Sequence, residues 1–337
     1  MEPLRNLNFS AENSSSLDGN SNSICYNMDP RYLKTSDFNE WYIANCLVNA
    51  LLAIAATLGN LFILKAIWRT STLHTPSYII LFCLALSDLG VGLLAQPMVV
   101  IYTVAKIRGF VSMACVTGMV VALVATYLCG ISLLSVTVVS IDRYLALYLH
   151  LRYTQLVTNK RVVALLVYTW LLAAFVLVTW LWYPLLVYCI GVAIGLGCII
   201  ISTFCFCRIY LVLRHHHRQI CSQPLPSTST ETSVGTLNSK RYRHSVLGML
   251  MVYIVLLLCY MPYLCISCVI VIQGTTITNR LLFELMRTVV FANSAFNPFI
   301  YCWRLRDIRA AVIQRLPCAC LVGYSTESSF REITRSA

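Results

Sequence analysis

Seven long apolar stretches, separated by short polar segments, dominate the sequence. They cover residues 41–67, 76–102, 111–141, 162–182, 185–211, 246–272 and 281–301. A helix needs about 20 apolar residues to cross a hydrocarbon core of about 30 Å. Lipid offers backbone groups no hydrogen bonds, and these stretches lack the alternation of barrel strands. The pattern therefore predicts an all-α membrane protein built as a seven-transmembrane helix bundle.

The composition supports this prediction. Hydrophobic residues make up 58% of the chain and charged residues 11%, with a mean hydropathy of +0.74, whereas soluble domains carry about 25% charged residues. Basic residues concentrate after the first, third, fifth and seventh stretches, as Arg69, Arg152, Arg214 and Arg309 illustrate. We therefore expect a multi-pass plasma-membrane protein with an extracellular N-terminus and a cytoplasmic C-terminus. Because the basic residues flank spans instead of forming one stripe, nucleic-acid binding is not expected.

The polar segments divide the chain further. Residues 1–40 are predicted to be a disordered extracellular tail, with glycosylation sequons at Asn8 and Asn13. Residues 41–303 form the seven-helix domain, which contains a flexible third cytoplasmic loop at 219–239. Residues 304–337 hold a short amphipathic eighth helix on the cytoplasmic face and a tail, where Cys318 and Cys320 are candidate palmitoylation sites. Two unmodified thiols fit the sequence equally well.

One carboxylate lies deep inside a predicted span. Asp88 stands in the second stretch, and a buried acid needs a proton, polar partners or a bound cation. Other spans offer candidate partners at Asn60, Ser132, Asn293, Ser294 and Asn297. Oxygen ligands of this kind suit a hard cation such as sodium. A hydrogen-bonded polar core around a protonated Asp88 explains the same pattern.

A charged motif and two prolines indicate moving parts. Asp142, Arg143 and Tyr144 lie at the end of the third stretch, where charge is costly unless function retains it. Pro262 and Pro298 fall inside the sixth and seventh stretches, and each removes a helical hydrogen bond and favours a kink. A kinked helix can swing at one end.

These motifs occur together in a known family. In chain order they are Gly59-Asn60, Leu84 through Asp88, Asp142-Arg143-Tyr144, Trp170, Tyr260-Met261-Pro262 and Asn297-Pro298 through Tyr301. From the first span to the amphipathic helix, the chain resembles a rhodopsin-like (class A) G-protein-coupled receptor. The short segment between the fourth and fifth stretches, and Cys198 in place of a proline, resemble the melanocortin, cannabinoid, lysophospholipid and adenosine receptor cluster.

The resemblance implies a function and a set of roles. An extracellular ligand would bind within the bundle, and outward movement of the sixth helix would open a cleft for a heterotrimeric G protein. Arrestin and a receptor kinase are further implied partners. Asp88, Ser132, Asn293, Ser294 and Asn297 would hold an allosteric sodium ion, with no organic cofactor. The activation switch would comprise Asp142, Arg143, Tyr144, Tyr260, Pro262, Asn297, Pro298 and Tyr301.

The positions that match the family's ligand pocket are mostly apolar. They are Ala125, Thr126, Cys129, Tyr260, Tyr263, Leu264, Arg287 and Phe291. Ala125 stands where amine receptors carry an aspartate, so a protonated amine ligand is not expected. Phe291 stands where an opsin carries its retinal lysine, so covalently bound retinal is not expected either. Arg287 favours a lipid-like or small amphiphilic ligand with an acidic head. Glu284, one turn earlier, is an equally good partner for Arg287.

Some positions depart from the family pattern. Gly118 replaces the third-span cysteine of an outer disulfide, and Cys115 lies one turn away, which puts that bridge in doubt. Tyr260 replaces the usual tryptophan. An ion-coupled transporter or channel is the alternative function, because Asp88 could serve an ion relay, although the two halves show no internal repeat. No nucleophile with a matched base, metal-ligand motif or phosphate loop indicates an enzyme.

Overall fold

The computed structural model describes residues 38–149, 152–179, 182–222, 231–274 and 276–313. Asn8, Asn13, Cys318 and Cys320 lie outside these residues. The described chain is helical, without a strand, and its main elements number eight. They are α1 (Asn39–Arg69), α2 (Pro76–Arg108), α3 (Val111–Leu149), α4 (Asn159–Thr179), α5 (Pro184–Ser222), α6 (Glu231–Gln273), α7 (Ile277–Arg304) and α8 (Arg306–Ile313).

These helices confirm the predicted bundle and lengthen most of its members. Helices α1 to α6 are long and apolar enough to cross a membrane. Helix α7 is long enough but more polar, because its first half carries Arg280, Glu284 and Arg287. Helices α5 and α6 enter the predicted 219–239 loop as far as Ser222 and from Glu231. A helix needs no apolar side chains once it leaves hydrocarbon, so apolar runs underestimate its length.

Buried apolar side chains form two clusters along the bundle. The larger includes Leu81, Val136 and Leu256, and the smaller includes Val99, Val121 and Phe291. We call the two ends of the bundle the Asp142 end and the Lys106 end, after the charged residue that each contains. Large apolar side chains also cover the outer surface of the bundle, as expected where lipid is the solvent.

Helices α1 and α7 approach closely, and two short motifs explain why. A Cβ atom at Gly59 would lie 2.8 Å from Cγ of Pro298, so a larger residue would push the helices apart. Pro298 cannot donate to the carbonyl of Ser294, four residues earlier. Asn60 Nδ2 donates to that carbonyl at 3.0 Å instead. The Gly59-Asn60 pair therefore fits α1 onto the proline turn of α7.

Helix α2 departs from regular geometry near its middle. Val91–Ala95 form a π turn just before Pro97, which lacks an amide hydrogen to continue the α-helical pattern. A Cβ atom at Gly92 would lie 2.7 Å from Oγ1 of Thr57, so α1 packs directly against this turn. The turn separates the segment that carries Asp88 from the segment that ends near Lys106.

Helix α8 packs against the Asp142 end. Leu305, Ile308 and Ala311 are buried, whereas Arg309 and Ala310 are exposed. The amphipathic helix expected after the seventh span is therefore present.

Candidate functional site

The helices bring most of the predicted sodium-site residues together. Asp88 of α2 is fully buried, and its carboxylate accepts hydrogen bonds from α3 and α7. Ser294 Oγ and Asn297 Nδ2 each donate at 2.7 Å. Ser132 Oγ donates at 3.2 Å and lies 2.9 Å from Ser87 Oγ. Within the described residues, no basic side chain pairs with Asp88.

Two amide groups near this carboxylate keep unused hydrogen-bonding capacity. Asn293 is buried, and neither of its side-chain polar atoms has a partner in the described part of the chain. The side-chain oxygen of Asn297 also has none there. Hydroxyl and amide oxygens around one carboxylate can coordinate a hard monovalent cation or surround a protonated acid. The described residues contain no cluster of three Cys, His, Asp or Glu that would indicate a transition metal.

At the Asp142 end, Asp142 and Arg143 form an ion pair. Arg143 Nε lies 3.0 Å from Asp142 Oδ2, and a second guanidinium nitrogen donates to the same oxygen. Ser77 Oγ donates to that oxygen at 2.8 Å, and the Tyr153 hydroxyl donates to Oδ1 at 2.6 Å. Burial, together with the hydrogen bond to Asp142, raises the pKa of Tyr153 to about 12. The Tyr153 hydroxyl therefore remains a donor at physiological pH.

Tyr260 connects α6 to α3 beside a proline. Its hydroxyl donates to the carbonyl oxygen of Cys129 at 2.9 Å. Pro262 follows two residues later, inside α6. A change at the Tyr260 hydroxyl would therefore act two residues from the proline, which cannot donate a backbone hydrogen bond.

Three other motif aromatics also make contacts between helices or lie buried among them. Tyr144 packs edge-on against Phe204 of α5, with ring centroids 6.2 Å apart. Trp170 Nε1 of α4 donates to Cys83 Sγ of α2 at 3.0 Å. Tyr301 is fully buried in α7, and its hydroxyl has no partner among the residues described. These contacts connect the motif-bearing helices to one another.

The predicted pocket residues differ widely in burial. Ala125, Leu264 and Phe291 are buried, Cys129 and Tyr263 are half-buried, and Thr126 is exposed. The rings of Tyr263 and Phe283 lie 5.2 Å apart and join α6 to α7. Arg287 is 8% exposed.

Glu284 pairs with residues that the sequence did not indicate. Its Oε1 atom lies 3.3 Å from Lys106 Nζ and 3.4 Å from Arg280 Nε. The Tyr102 hydroxyl donates to the same oxygen at 3.3 Å. Arg287 is not among these partners, so the pairing of Glu284 with Arg287, considered above, is not formed. Only the four-residue spacing of Arg280 and Glu284 was readable in the sequence, because Lys106 and Tyr102 belong to another helix.

The Glu284 cluster joins α1, α2 and α7 at the Lys106 end. Lys106 Nζ donates to the Tyr42 hydroxyl at 2.8 Å and lies 4.1 Å from the centre of the Tyr42 ring. Thr288 Oγ1 donates to the Glu284 carbonyl at 3.2 Å and to Asn45 Oδ1 at 2.8 Å. Buried charged groups and amides thus connect these three helices.

Cys115, near the start of α3, takes part in a disulfide bond. Eleven other cysteines are free, so Cys115 pairs with none of them. A disulfide therefore starts one turn from Gly118, whereas Cys189, near the start of α5, is free.

Known proteins share this architecture and these motifs. A family model described as "7 transmembrane receptor (rhodopsin family)" matches residues 59–185 and 178–301. The chain belongs to this receptor family. The receptor is similar in fold to squid rhodopsin, whose crystal structure matches with a TM-score of 0.70 and 16% identity, covering 84% of this chain and 87% of that one.

Several curated receptors are similar in sequence. Adenosine receptor A2a of Canis lupus familiaris is 26% identical over 300 residues, which cover 78% of this chain and 69% of the relative. Adenosine receptor A2b of Homo sapiens is 26% identical, with 80% and 87% covered. Histamine H2 receptor of Cavia porcellus is 24% identical, with 88% and 85% covered.

These relatives narrow the class of protein but not its ligand. They are receptors and not enzymes, and nothing in the comparisons supports a transporter. Membership of the family makes this receptor a multi-pass plasma-membrane protein. Adenosine and histamine receptors match at nearly equal identity, so the shared sequence does not select a ligand.

Proposed function

We propose that the receptor binds an extracellular ligand at the Lys106 end and activates a heterotrimeric G protein at the Asp142 end. Three basic residues support a cytoplasmic Asp142 end: Arg152 between α3 and α4, Arg161 in the first turn of α4, and Arg214 in the last third of α5. The ion pair between Asp142 and Arg143 carries the proposal, because it holds the switch arginine away from any G protein.

Activation would proceed through α6. A ligand that displaces the Tyr260 hydroxyl from the Cys129 carbonyl removes a tie between α6 and α3. Because Pro262 removes one backbone hydrogen bond, α6 can then swing outward around it. Arg143 leaves Asp142, and a G protein enters the resulting cleft. Arrestin and a receptor kinase would recognise the same open form.

Basal nucleotide exchange on purified G proteins tests this proposal without a ligand. We expect Asp142→Asn to raise exchange several-fold over wild type, because Arg143 loses its charged partner. Arg143→Ala at matched expression is the control, since it removes the arginine that engages the G protein. If neither wild type nor Asp142→Asn stimulated exchange on any class of G protein, the signalling role would be wrong.

For the ligand, we propose a lipid-like or small amphiphilic acid. Arg287 is buried and forms no ion pair with the described residues. Tyr263, Leu264 and Phe291 offer apolar surface for the rest of the molecule. Ala125 provides no carboxylate for a protonated amine.

Replacement of Arg287 tests the ligand class. Because a charge-assisted hydrogen bond contributes about 1.5–3 kcal/mol, Arg287→Ala should lower the potency of an acidic amphiphilic agonist by about tenfold or more. The potency in Arg287→Lys should lie between those in wild type and Arg287→Ala, since lysine keeps the charge but loses the forked pair of guanidinium donors. The alcohol analogue of the agonist is the matched control, and its potency should change little in these variants. Unchanged potency of the acid in Arg287→Ala would exclude the counter-ion role.

We also propose that Asp88 binds an allosteric sodium ion. The ion would supply the positive charge that no described side chain gives this carboxylate. Ser132, Ser294 and the free oxygens of Asn293 and Asn297 fit a hard cation, because all can act as oxygen ligands. No organic cofactor is proposed.

Four modifications complete the proposal, all outside the described residues. They are glycosylation of Asn8 and Asn13 and palmitoylation of Cys318 and Cys320. Peptide mass spectrometry of the expressed receptor tests each site, and unmodified peptides at full occupancy would exclude it.

A further inference from the structure

Arg287 is a buried cation that forms no ion pair with any residue the structure describes. Its side chain is 8% exposed, and its Nε atom is fully buried with no hydrogen-bond partner among the described residues. None of the ion pairs or hydrogen bonds of the described chain includes Arg287. A lone charge held away from water is costly, and it is normally paired or neutralised.

The neighbouring acid Glu284 is in electrostatic range of Arg287 but forms no ion pair with it. Glu284 Oε1 already accepts hydrogen bonds from Lys106, Arg280 and Tyr102, at 3.3, 3.4 and 3.3 Å. Lys106 and Glu284 are each 1% exposed, so their pair is closed to solvent. Two cations thus share one carboxylate, and the guanidinium of Arg287 adds a third positive charge. The Lys106 end carries an excess of buried positive charge.

The guanidinium lies toward the centre of the bundle. It is in electrostatic range of Cys129 on α3 and of Tyr263 on α6. Phe291, one turn further along α7, is fully buried. Apolar surroundings weaken the screening of Arg287 and strengthen its attraction for an anion. The five N–H donors of a guanidinium are available to hydrogen-bond such an ion.

We propose that Arg287 forms an anion site which holds a small monovalent anion, chloride, when no ligand is bound. A monovalent ion matches the single unpaired guanidinium. The proposed acidic ligand would displace this ion, so the inference deepens the proposed function and rests on its assignment of Arg287 to the pocket. The site needs no agonist to be occupied and can be tested without one.

Thermal unfolding of the purified full-length receptor tests the site. Wild type is compared in sodium chloride and in sodium gluconate, at equal ionic strength and equal sodium, so that the Asp88 site is unaffected. We expect chloride to raise Tm by about 2 °C or more when it exceeds its Kd tenfold. Arg287→Gln should abolish the shift. Arg108→Gln, which removes an exposed arginine at the same end, should retain it.

Two further measurements distinguish loss of the anion site from misfolding of Arg287→Gln. Arg287→Lys keeps the charge and should show a smaller chloride shift. Bromide, a heavier substitute, should give an anomalous scattering peak beside Arg287 in crystals of wild type. The proposal is overturned if wild type gains no stability from chloride, if Arg287→Gln gains as much as wild type, or if bromide is absent from this position.

The result separates this inference from the proposed ligand class. If chloride acts through Arg287 while no acidic amphiphile depends on it, the anion site stands and the ligand proposal fails. If acid potency depends on Arg287 but chloride has no effect on stability, the anion site is wrong.

Discussion

Asp88 and Arg287 present opposite forms of one physical problem. Within the part of the chain described, Asp88 is a buried acid and Arg287 a buried base, and neither forms an ion pair. Neutral donors surround Asp88, whereas the acid nearest to Arg287 along α7 already serves two other cations. The first arrangement favours a bound cation and the second a bound anion. Unbalanced charge therefore marks both candidate sites, at different depths of one bundle.

Glu284 is a buried acid of the same molecule that does pair with basic residues. It is as buried as Asp88, but Lys106 and Arg280 both contact its carboxylate. We therefore assign it a structural role, because its Oε1 atom connects α2 to α7.

The largest expected effect comes from removing Glu284. Glu284→Ala leaves Lys106 buried without a counter-ion, which should lower the free energy of unfolding by about 3–5 kcal/mol. The measurement is thermal unfolding of the purified receptor. The control is the double variant Lys106→Met with Glu284→Met, which removes both charges and should recover most of the loss. Equal stability of Glu284→Ala and wild type would show that the pair contributes nothing.

The second effect concerns the helix contact that frames the Asp88 site. Gly59→Ala places a Cβ atom 2.8 Å from Pro298 Cγ, so α1 and α7 must separate. Overpacking of this kind typically costs about 1–3 kcal/mol. Gly130→Ala is the matched control, because no atom lies within 4 Å of its added Cβ and helix propensity favours alanine. If both variants changed Tm alike, the close approach would have no energetic weight.

The sequence predicted the two regions with unequal success. The seven spans, the eighth helix and the partners of Asp88 follow from apolar length and from motifs that place Ser132, Ser294 and Asn297 at matching depth. The sequence did not predict that Lys106 and Tyr102 contact Glu284. These residues lie on another helix, and no spacing within one helix encodes such a contact. Ser77 and Tyr153 were missed as partners of Asp142 for the same reason.

Sodium provides the third test, which concerns the acid without a base. Replacing choline by sodium at constant chloride should stabilise wild type by about 1.4 kcal/mol when sodium exceeds its Kd tenfold. Asp88→Asn should lose this increment, because an amide cannot neutralise the ion. Thermal unfolding in both salts measures it, and potassium serves as the control cation. If sodium stabilised Asp88→Asn as much as wild type, the sodium ion would not bind at Asp88.

The smallest effect concerns Asp142, a third acid that has both a base and neutral donors. Tyr153→Phe removes one hydrogen bond to its carboxylate, which should weaken the closed switch by about 1 kcal/mol and raise basal nucleotide exchange about fivefold. Tyr168→Phe, on the exposed face of α4, is the matched control and should leave exchange unchanged.

Titration sharpens this last prediction. The pKa of Tyr153 is raised from 10.0 to about 12, so the neutral donor is favoured in the folded receptor. The contribution of Tyr153 is therefore fully present below pH 10 and is lost as pH rises toward 12. Between pH 6 and 8 the ratio of basal exchange in Tyr153→Phe to that in wild type should stay constant, because the hydroxyl does not titrate there. A ratio that changes across this range would assign the effect to another group, and the hydrogen bond between Tyr153 and Asp142 would not be its cause.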